Sequence, residues 1–414
     1  MVDAWADACV DTLVDFARFP IVASVSQYIA NFFLNVSKLT VPPFVFNSHP
    51  GRVVFGAGSL DHLEREISLL GAQRALVLAT PEQAGQAEDL AKRLGKRCAG
   101  VFARAVMHVP IETARLARDE AARVNADCAV AIGGGSTTGL GKAIALESSL
   151  PILAIPTTYA GSEMTAIYGI TEGGVKKTGR DARVLPKTVI YDPQLTLSLP
   201  PALSATSGMN AIAHAVEALY AVDSNPIISM MSEEGIRALA QGLPGVMKNP
   251  QDIEARSLCL YGAWLCGVAL NGTSMALHHK LCHTLGGSFN LGHAEVHTVI
   301  LPHATAYNEK AAPEAMMRVA RALGAAQAAH GQNGGAAQAA HGQNAGSTSA
   351  AAGLYDLEVQ LGTPLSLKAI GMPGSGLDQA ADLAAASPYA NPVPIERAAI
   401  RQLLDNAFHG RKPA

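Results

Sequence analysis

Three histidines, His279, His283 and His293, carry the densest chemistry in this chain of 414 residues. A helix through 274–284 puts His279 and His283 one turn apart on one face, and Gly286, Gly287 and Gly292 let the backbone swing His293 toward them. Upstream, Asn210 and His214 repeat the i, i+4 spacing within Gly-Met-Asn-Ala-Ile-Ala-His and offer a fourth and a fifth group. Seven of the 13 histidines fall between His214 and His303. Imidazole works near neutral pH as a proton donor, as a partner for an oxyanion and as a metal ligand, and this set is open to all three. Taken singly, each is an ordinary core or helix-surface histidine. The shared spacing is what marks a site.

A second constellation follows the apolar run Cys128–Ile132, where Gly133-Gly134-Gly135-Ser136-Thr137-Thr138-Gly139 leads into a helical stretch. Glycines allow a tight strand-to-helix turn and close backbone approach, and the helix start offers free N–H groups and the positive end of its dipole to a pyrophosphate. Ser136 is expected to cap that helix. The next strand ends in Pro156-Thr157-Thr158, whose hydroxyls can meet a ribose or a phosphate. The second strand ends in Leu78-Ala79-Thr80-Pro81 and lacks the acid that would hold a ribose 2′-hydroxyl and repel a 2′-phosphate. A dinucleotide is therefore expected along Gly133, Gly134, Gly135, Ser136, Thr157, Thr158 and Thr80, with NADH and NADPH both admitted. Gly56-Ala57-Gly58, also between a strand and a helix, is a weaker candidate for a second turn of backbone donors.

The elements that must position these groups divide the chain. From Phe44 short apolar runs alternate with helical periods, the pattern of a doubly wound sheet. Strands are expected at Arg52–Phe55, 75–79, Cys98–Phe102, 128–132, 152–155 and 189–191, with helices over 59–70, 81–94, 111–124 and 136–146 between them. After Leu199-Pro200-Pro201 the strand signals vanish and long Ala-, Leu- and Met-rich helical periods take over. The expected organisation is an extension of unread role over 1–43, a dinucleotide-binding α/β domain over 44–200 and an all-helical domain over 201–414. The site would lie between the last two. Gly-Ala-Ala-Gln-Ala-Ala-His-Gly-Gln-Asn occurs twice within 324–344, which reads as a duplicated surface loop.

Composition narrows the classes. The hydrophobic share of 49% fills two cores, and a net charge of -3 without a Lys/Arg-rich run argues against nucleic acid as a partner. The six cysteines form no Cys-x-x-Cys pair and no disulfide framework, which fits a reducing cytoplasm. Phe19–Ser37 is uncharged but holds Pro20, Gln27, Asn31 and Asn35, too polar for a good membrane span, and the acid-rich stretch before it has the wrong sign for a secretory leader. A small-molecule partner is expected, with no membrane.

The Gly-Gly-Gly-Ser turn, Pro-Thr-Thr, Gly-Met-Asn-Ala-Ile-Ala-His-Ala-Val-Glu and the spacing of His279, His283 and His293 together resemble the iron-containing (group III) alcohol dehydrogenase superfamily, from about Phe44 to the C-terminus. Within it the sequence is most similar to the maleylacetate reductase family, through Phe44-Val-Phe-Asn-Ser-His-Pro-Gly-Arg-Val-Val-Phe-Gly56, Thr157-Thr-Tyr-Ala-Gly-Ser-Glu-Met-Thr165, Ile370-Gly-Met-Pro373, Asn391-Pro-Val-Pro-Ile-Glu-Arg397 and His409-Gly-Arg411. The resemblance implies a Rossmann-like N-terminal domain and an all-α C-terminal domain, the architecture shared with dehydroquinate synthase, and a homodimer. In metal-dependent members an Asp and three His hold the ion. Those positions map onto Asn210, His214, His279 and His293, with His283 as an extra catalytic histidine. Asn at the first position removes the anionic ligand, so no metal is expected, with Fe(II) or Zn(II) as the alternative. Gly139 stands where alcohol-oxidising relatives tend to carry Asp.

The activity the resemblance implies is NAD(P)H-dependent reduction of the carbon–carbon double bond of maleylacetate to 3-oxoadipate, a step in aromatic compound degradation. Hydride addition β to the ketone builds an enolate, which calls for hydrogen-bond donors such as His279, His283 or His293. A proton must then reach carbon, from His283 or from Tyr159. The dicarboxylate substrate would meet His214 and Asn210, and Lys142, Lys187, Lys280 and Arg52 are the candidate cations. The competing expectations are a metal-dependent alcohol or polyol dehydrogenase and a non-catalytic nucleotide-binding relative.

Overall fold

A computed structural model describes residues 44–46, 51–173, 175–330, 349–386 and 389–413, with 325–330 as helix backbone only. The extension over 1–43 and all but the start of the duplicated stretch lie outside these residues.

Six parallel strands form the sheet of the N-terminal half: β1 (Arg52–Phe55), β2 (Ala75–Leu78), β3 (Cys98–Phe102), β4 (Cys128–Gly133), β5 (Ile152–Pro156) and β8 (Thr188–Tyr191). Their spatial order is β1-β8-β5-β4-β2-β3. The inner strands are near-continuous apolar runs because helices cover both faces, as a parallel sheet requires. Those helices include α1 (Leu63–Leu69), α2 (Ala84–Leu94), α3 (Ile111–Arg123) and α4 (Gly135–Ser148). The starts expected at Ser59 and Pro81 are 3-10 turns that precede α1 and α2.

Between β5 and β8 lies an element absent from the sequence reading, an antiparallel hairpin of β6 (Ile167–Glu172) and β7 (Val175–Arg180). Val175-Lys-Lys-Thr-Gly-Arg180 is polar and exposed, so it has no apolar alternation to reveal it. The Gly173-Gly174 pair between the strands was the available signal.

The C-terminal half holds α5 (Pro201–Tyr220), α6 (Pro226–Lys248), α7 (Ile253–Gly272), α8 (Leu277–Phe289), α9 (His293–Asn308), α10 (Pro313–His330), α11 (Ala350–Leu361), α12 (Leu377–Ala385) and α13 (Arg397–His409). Helix α5 starts with proline at its first position, where no N–H is missed. It is buried on nearly every face, as the central helix of a bundle is. Arg256 of α7, 0% exposed, binds Leu199 O, Pro250 O, Ser204 Oγ and Tyr159 Oη, tying the helices to the loop after β5. Among the described residues α7 is long and apolar enough to cross a membrane, and 56% of that window is buried inside the protein. The cysteines among them, Cys98, Cys128, Cys259, Cys266 and Cys282, are free thiols.

Candidate active site

The carboxyl ends of β2, β4 and β5 lie side by side, with Leu78 beside Ala131 and Gly133 beside Pro156. Thr80, the glycine turn and Thr157-Thr158 therefore meet at one edge of the sheet, where open α/β sheets bind ligands. Gly133 sits at φ 146, and a Cβ there would lie 2.5 Å from Thr137 Oγ1 and 2.6 Å from Gln83 Oε1. Its carbonyl accepts the Thr157 N–H at 3.1 Å, and Gln83 Nε2 donates to Thr157 Oγ1 at 2.9 Å, knitting the three strand ends together. The Thr80 hydroxyl serves Glu82, whose carboxylate is held below its usual range first by its own backbone N–H and then by Thr80. Helix α4 begins at Gly135 behind Gly134, and no side chain caps it. The cap expected from Ser136 is thus absent, and the first-turn N–H groups stay available to an anion. The Gly56-Ala57-Gly58 turn has already found its anion: Asp192 accepts the Gly58 and Leu60 N–H groups at 3.1 and 3.0 Å.

From β5 the chain runs through Thr157–Gly161 directly to the histidines. A Cβ at Gly161, which sits at φ 77, would lie 3.2 Å from Gly267 Cα and 3.5 Å from His214 Nδ1. The His214 and His279 rings stack at 5.2 Å, His279 lies 6.1 Å from His283, His283 6.5 Å from His293, and His293 4.3 Å from His297. His278 closes the set, its Nε2 2.9 Å from His297 Nδ1. The local path differs from the expected one. Gly286 and Gly287 are helical, and the turn is made by Asn290 at φ 52, after which His293 opens α9.

Asn210, His214, His278, His279 and His297 are buried and form a floor, and His283 and His293 stand at a rim open to solvent on one side, their rings packed against His279 and His297 on the other. On that floor Asn210 Oδ1, His214 Nδ1 and His279 Nε2 are buried without a hydrogen-bond partner within the protein. Such atoms are costly unless a ligand takes them up. The second nitrogen of His279, Nδ1, is 2.5 Å from Glu217 Oε2. Desolvation, then the charge of His279, lowers His283 to about 4; desolvation, then His283, lowers His293 to about 3. Lys176 of β7 contributes to both shifts and to that of His108, so its charge reaches the rim.

Three expected site residues are engaged elsewhere. Lys142 is 1% exposed, and its ammonium donates to Ser162 O, Thr165 Oγ1 and Ile167 O at 2.7, 2.9 and 2.7 Å, which uses all three of its hydrogens. Burial lowers it to about 7, and its work is to hold the β6–β7 hairpin. Arg52 stands at the amino end of β1, away from the ligand edge of a parallel sheet, and pairs with Glu66 at 2.6 and 3.1 Å. Tyr159 is 0% exposed in the core, where burial raises its hydroxyl and Arg256 is its partner, so it cannot deliver a proton to a ligand. Gly139 also has a local reason: a Cβ there would be 2.8 Å from Val109 Cγ2.

Asn210, His214, His279 and His293 include no carboxylate, the donor a hard cation prefers, while three imidazoles are a donor set that Zn(II) or Fe(II) accepts; the adjacent carboxylate, Glu217, is turned to His279 Nδ1 and to the His278 N–H at 2.7 Å. Among the described residues the histidine, cysteine and carboxylate donors crowded within 4.8 Å of one another belong to His278, Cys282 and His297. There burial and then Glu217 raise the thiol, which favours its protonated form over a ligating thiolate. Sequence reasoning missed Glu217, His278, His297 and Lys176. Glu217 was legible, since 210, 214 and 217 share one face of a helix. Lys176 sits in a charged exposed strand and gave no sign.

Two family models match the chain: iron-containing alcohol dehydrogenase over residues 50–193, and the C-terminal part of the Fe-containing alcohol dehydrogenase family over 204–408. The chain is 61% identical over 371 residues to a maleylacetate reductase of Burkholderia cepacia, which covers 90% of this chain and 99% of that protein. A maleylacetate reductase of Sphingobium indicum is 54% identical over 370 residues, with coverages of 89% and 99%. The crystal structure of maleylacetate reductase from Agrobacterium tumefaciens superposes with a TM-score of 0.83 at 52% identity, covering 90% of this chain and 100% of that one.

Proposed function

The chain belongs to the iron-containing alcohol dehydrogenase family, and we propose that it works as the maleylacetate reductases in that family do, reducing the substrate's carbon–carbon double bond to give 3-oxoadipate with NADH or NADPH. The observation that carries this reading is the floor of unpartnered ring nitrogens, His214 Nδ1 and His279 Nε2, beside an Asn210 that brings no negative charge. A ketone that becomes an enolate needs hydrogen-bond donors close by, and imidazoles provide them.

The Gly133–Ser136 turn and the helix start behind it would hold the pyrophosphate, with Thr157, Thr158 and Thr80 along the ribose side. When bound, the reduced nicotinamide supplies a hydride to the alkene carbon β to the ketone. His279, donating from Nε2–H, with His214 beside it and the amide NH2 of Asn210 as a further donor, then steadies the enolate oxygen. Free His283 and His293 are neutral near pH 7. The two negative charges of a bound dicarboxylate raise both rings toward their protonated forms, and the substrate's own arrival thus favours loading His283 with a proton. His283 gives that proton to the carbon α to the ketone. Lys176, in place of Lys142 and Arg52, pairs with a substrate carboxylate at the rim.

The test is oxidation of NADH by maleylacetate with one 3-oxoadipate formed per NADH consumed. Absence of turnover with this or any other enone or carbonyl acid would favour a nucleotide-binding protein. One observation favours the second reading, a metal-dependent alcohol dehydrogenase: Glu217 behind His279 is an arrangement that also suits a metal-ligating imidazole. Metal analysis of the purified protein, paired with activity after chelation, separates the two. A homodimer is the expected assembly, which sedimentation checks.

A further inference from the structure

Helix α8 turns one stripe of side chains toward the opening of the site. Leu277, Leu281, Cys282 and Leu285 lie in the core, whereas the half-buried Lys280, with His283 and Gly287, occupies the open face. Lys280 stands one turn before His283, the spacing at which helical side chains meet. Its ammonium lies 5.9 Å from the ring centroid of Tyr389, within cation–π range, so the long stem is held to one wall. Among the described residues no carboxylate pairs with it. At Gly287 an added Cβ would meet nothing within 4 Å, which leaves room along the same face. A second ammonium comes from the other half of the molecule. Lys176 of β7 stands opposite Thr171 of β6, whose N–H and hydroxyl bind Val109 O and His108 O at 3.0 and 2.8 Å and tie the hairpin to the α/β half. Burial, His279, Lys176 and Lys280, in that order, lower His283, so both ammonium charges reach that ring.

We propose that Lys280 sets the preference for a dianion: its ammonium binds the substrate carboxylate on the acetate side of the ketone, and Lys176 binds the carboxylate on the alkene. The assignment rests on the reductase reading above and deepens it. Hydride must enter at the alkene carbon β to the ketone, which bears the alkene carboxylate. That end therefore points to the nicotinamide-binding half, where the β6–β7 hairpin is anchored. The ketone is steadied by His279, and the adjacent carbon receives its proton from His283. Both belong to α8, so the ketone end runs along that helix. The other carboxylate lies one methylene beyond the ketone and reaches Lys280 on the open face it shares with His283. A keto acid that ends there in a methyl group leaves this ammonium unpaired and loses one charge-assisted contact.

The experiment compares two substrates that differ only in that carboxylate, freshly prepared maleylacetate and cis-4-oxopent-2-enoate, each with NADH and the full chain. The wild type is expected to favour maleylacetate about tenfold in kcat/KM, the size of one hydrogen bond to a charged group. Lys280→Met keeps the stem on Tyr389 and removes the charge. It should lower kcat/KM about tenfold with maleylacetate, leave cis-4-oxopent-2-enoate unchanged and leave the melting temperature near that of the wild type. Lys280→Arg should restore most of the loss. Lys176→Gln should lower kcat/KM with both substrates, since both carry the alkene carboxylate. Equal kcat/KM on the two substrates in the wild type, a Lys280→Met that loses equally on both or on neither, or a Lys176→Gln that spares cis-4-oxopent-2-enoate would each overturn the proposal. The wild-type ratio can do so even if a variant fails to fold. Turnover of neither substrate would sink the reductase reading instead. Calorimetric titration of the wild type and Lys280→Met with 3-oxoadipate and 4-oxopentanoate, which differ by the same carboxylate, then judges Lys280 alone. Selective weakening of 3-oxoadipate upholds its role, and equal binding overturns it.

Discussion

The roles proposed for the residues of the floor and rim differ in charge, and two substitutions separate them. Lys176 lies in an exposed strand, so its pairing with a substrate carboxylate is worth about 1 kcal/mol, the scale of a solvent-exposed ion pair. Lys176→Gln should therefore raise the KM for maleylacetate about fivefold and leave the KM for NADH unchanged, as steady-state kinetics with each reactant varied would show. Asn210→Asp returns an anion to a floor of neutral imidazoles. It should tighten binding of a divalent ion by about tenfold, equivalent to ~1.4 kcal/mol of added attraction, as read by calorimetric titration with Zn(II). Unchanged affinity would mean that position 210 does not face the ion.

At the level of elements, the hairpin β6–β7 depends on one buried ammonium. Lys142→Met would leave Ser162 O, Thr165 Oγ1 and Ile167 O without their shared donor and should cost about 3 kcal/mol of unfolding free energy in a denaturant titration. A residue that only contacted substrate would leave stability alone. Sequence periodicity sufficed for the parallel strands and their helices because burial on both faces writes long apolar runs, as in Cys128–Gly133 and Ile152–Pro156. The helix that carries both His279 and His283 and the strand-to-helix turn at Gly133–Gly135 were legible for the same reason, since their spacing is local. Periodicity failed where meaning depends on a distant partner. Lys142 looked like a free cation in a glycine-rich motif until its three acceptors from the next loop and strand were in view. Arg52 and Tyr159 failed for the same reason, each engaged by a group far away in sequence, Glu66 and Arg256. Gly286 and Gly287 suggested a loop because glycine weakens an isolated helix, yet burial of Leu281 and Leu285 in the core shared with α9, α12 and α13 keeps α8 helical through them.

The molecule as a whole buries many neutral imidazoles, and its stability should record them. Burial lowers His303, which is 5% exposed, from 6.5 to about 4, and it is the largest cause of the lowering at His214, His278 and His297. Between those two values the unfolded chain binds more protons than the folded one. Stability therefore rises with pH through that window and is lost as pH falls from about 6.5 toward 4, with His303 alone worth about 3 kcal/mol. Urea denaturation at pH 7 and pH 5 should show a clear drop at the lower pH; equal midpoints would contradict the burial of neutral rings. The central claim is that an imidazole-lined floor without an anionic ligand supports reduction of an activated double bond by itself. Its most direct test is turnover of maleylacetate and NADH by protein stripped of metal with a strong chelator and checked by elemental analysis. Full activity without metal is the predicted result, and activity lost on stripping and restored by Fe(II) or Zn(II) would contradict it.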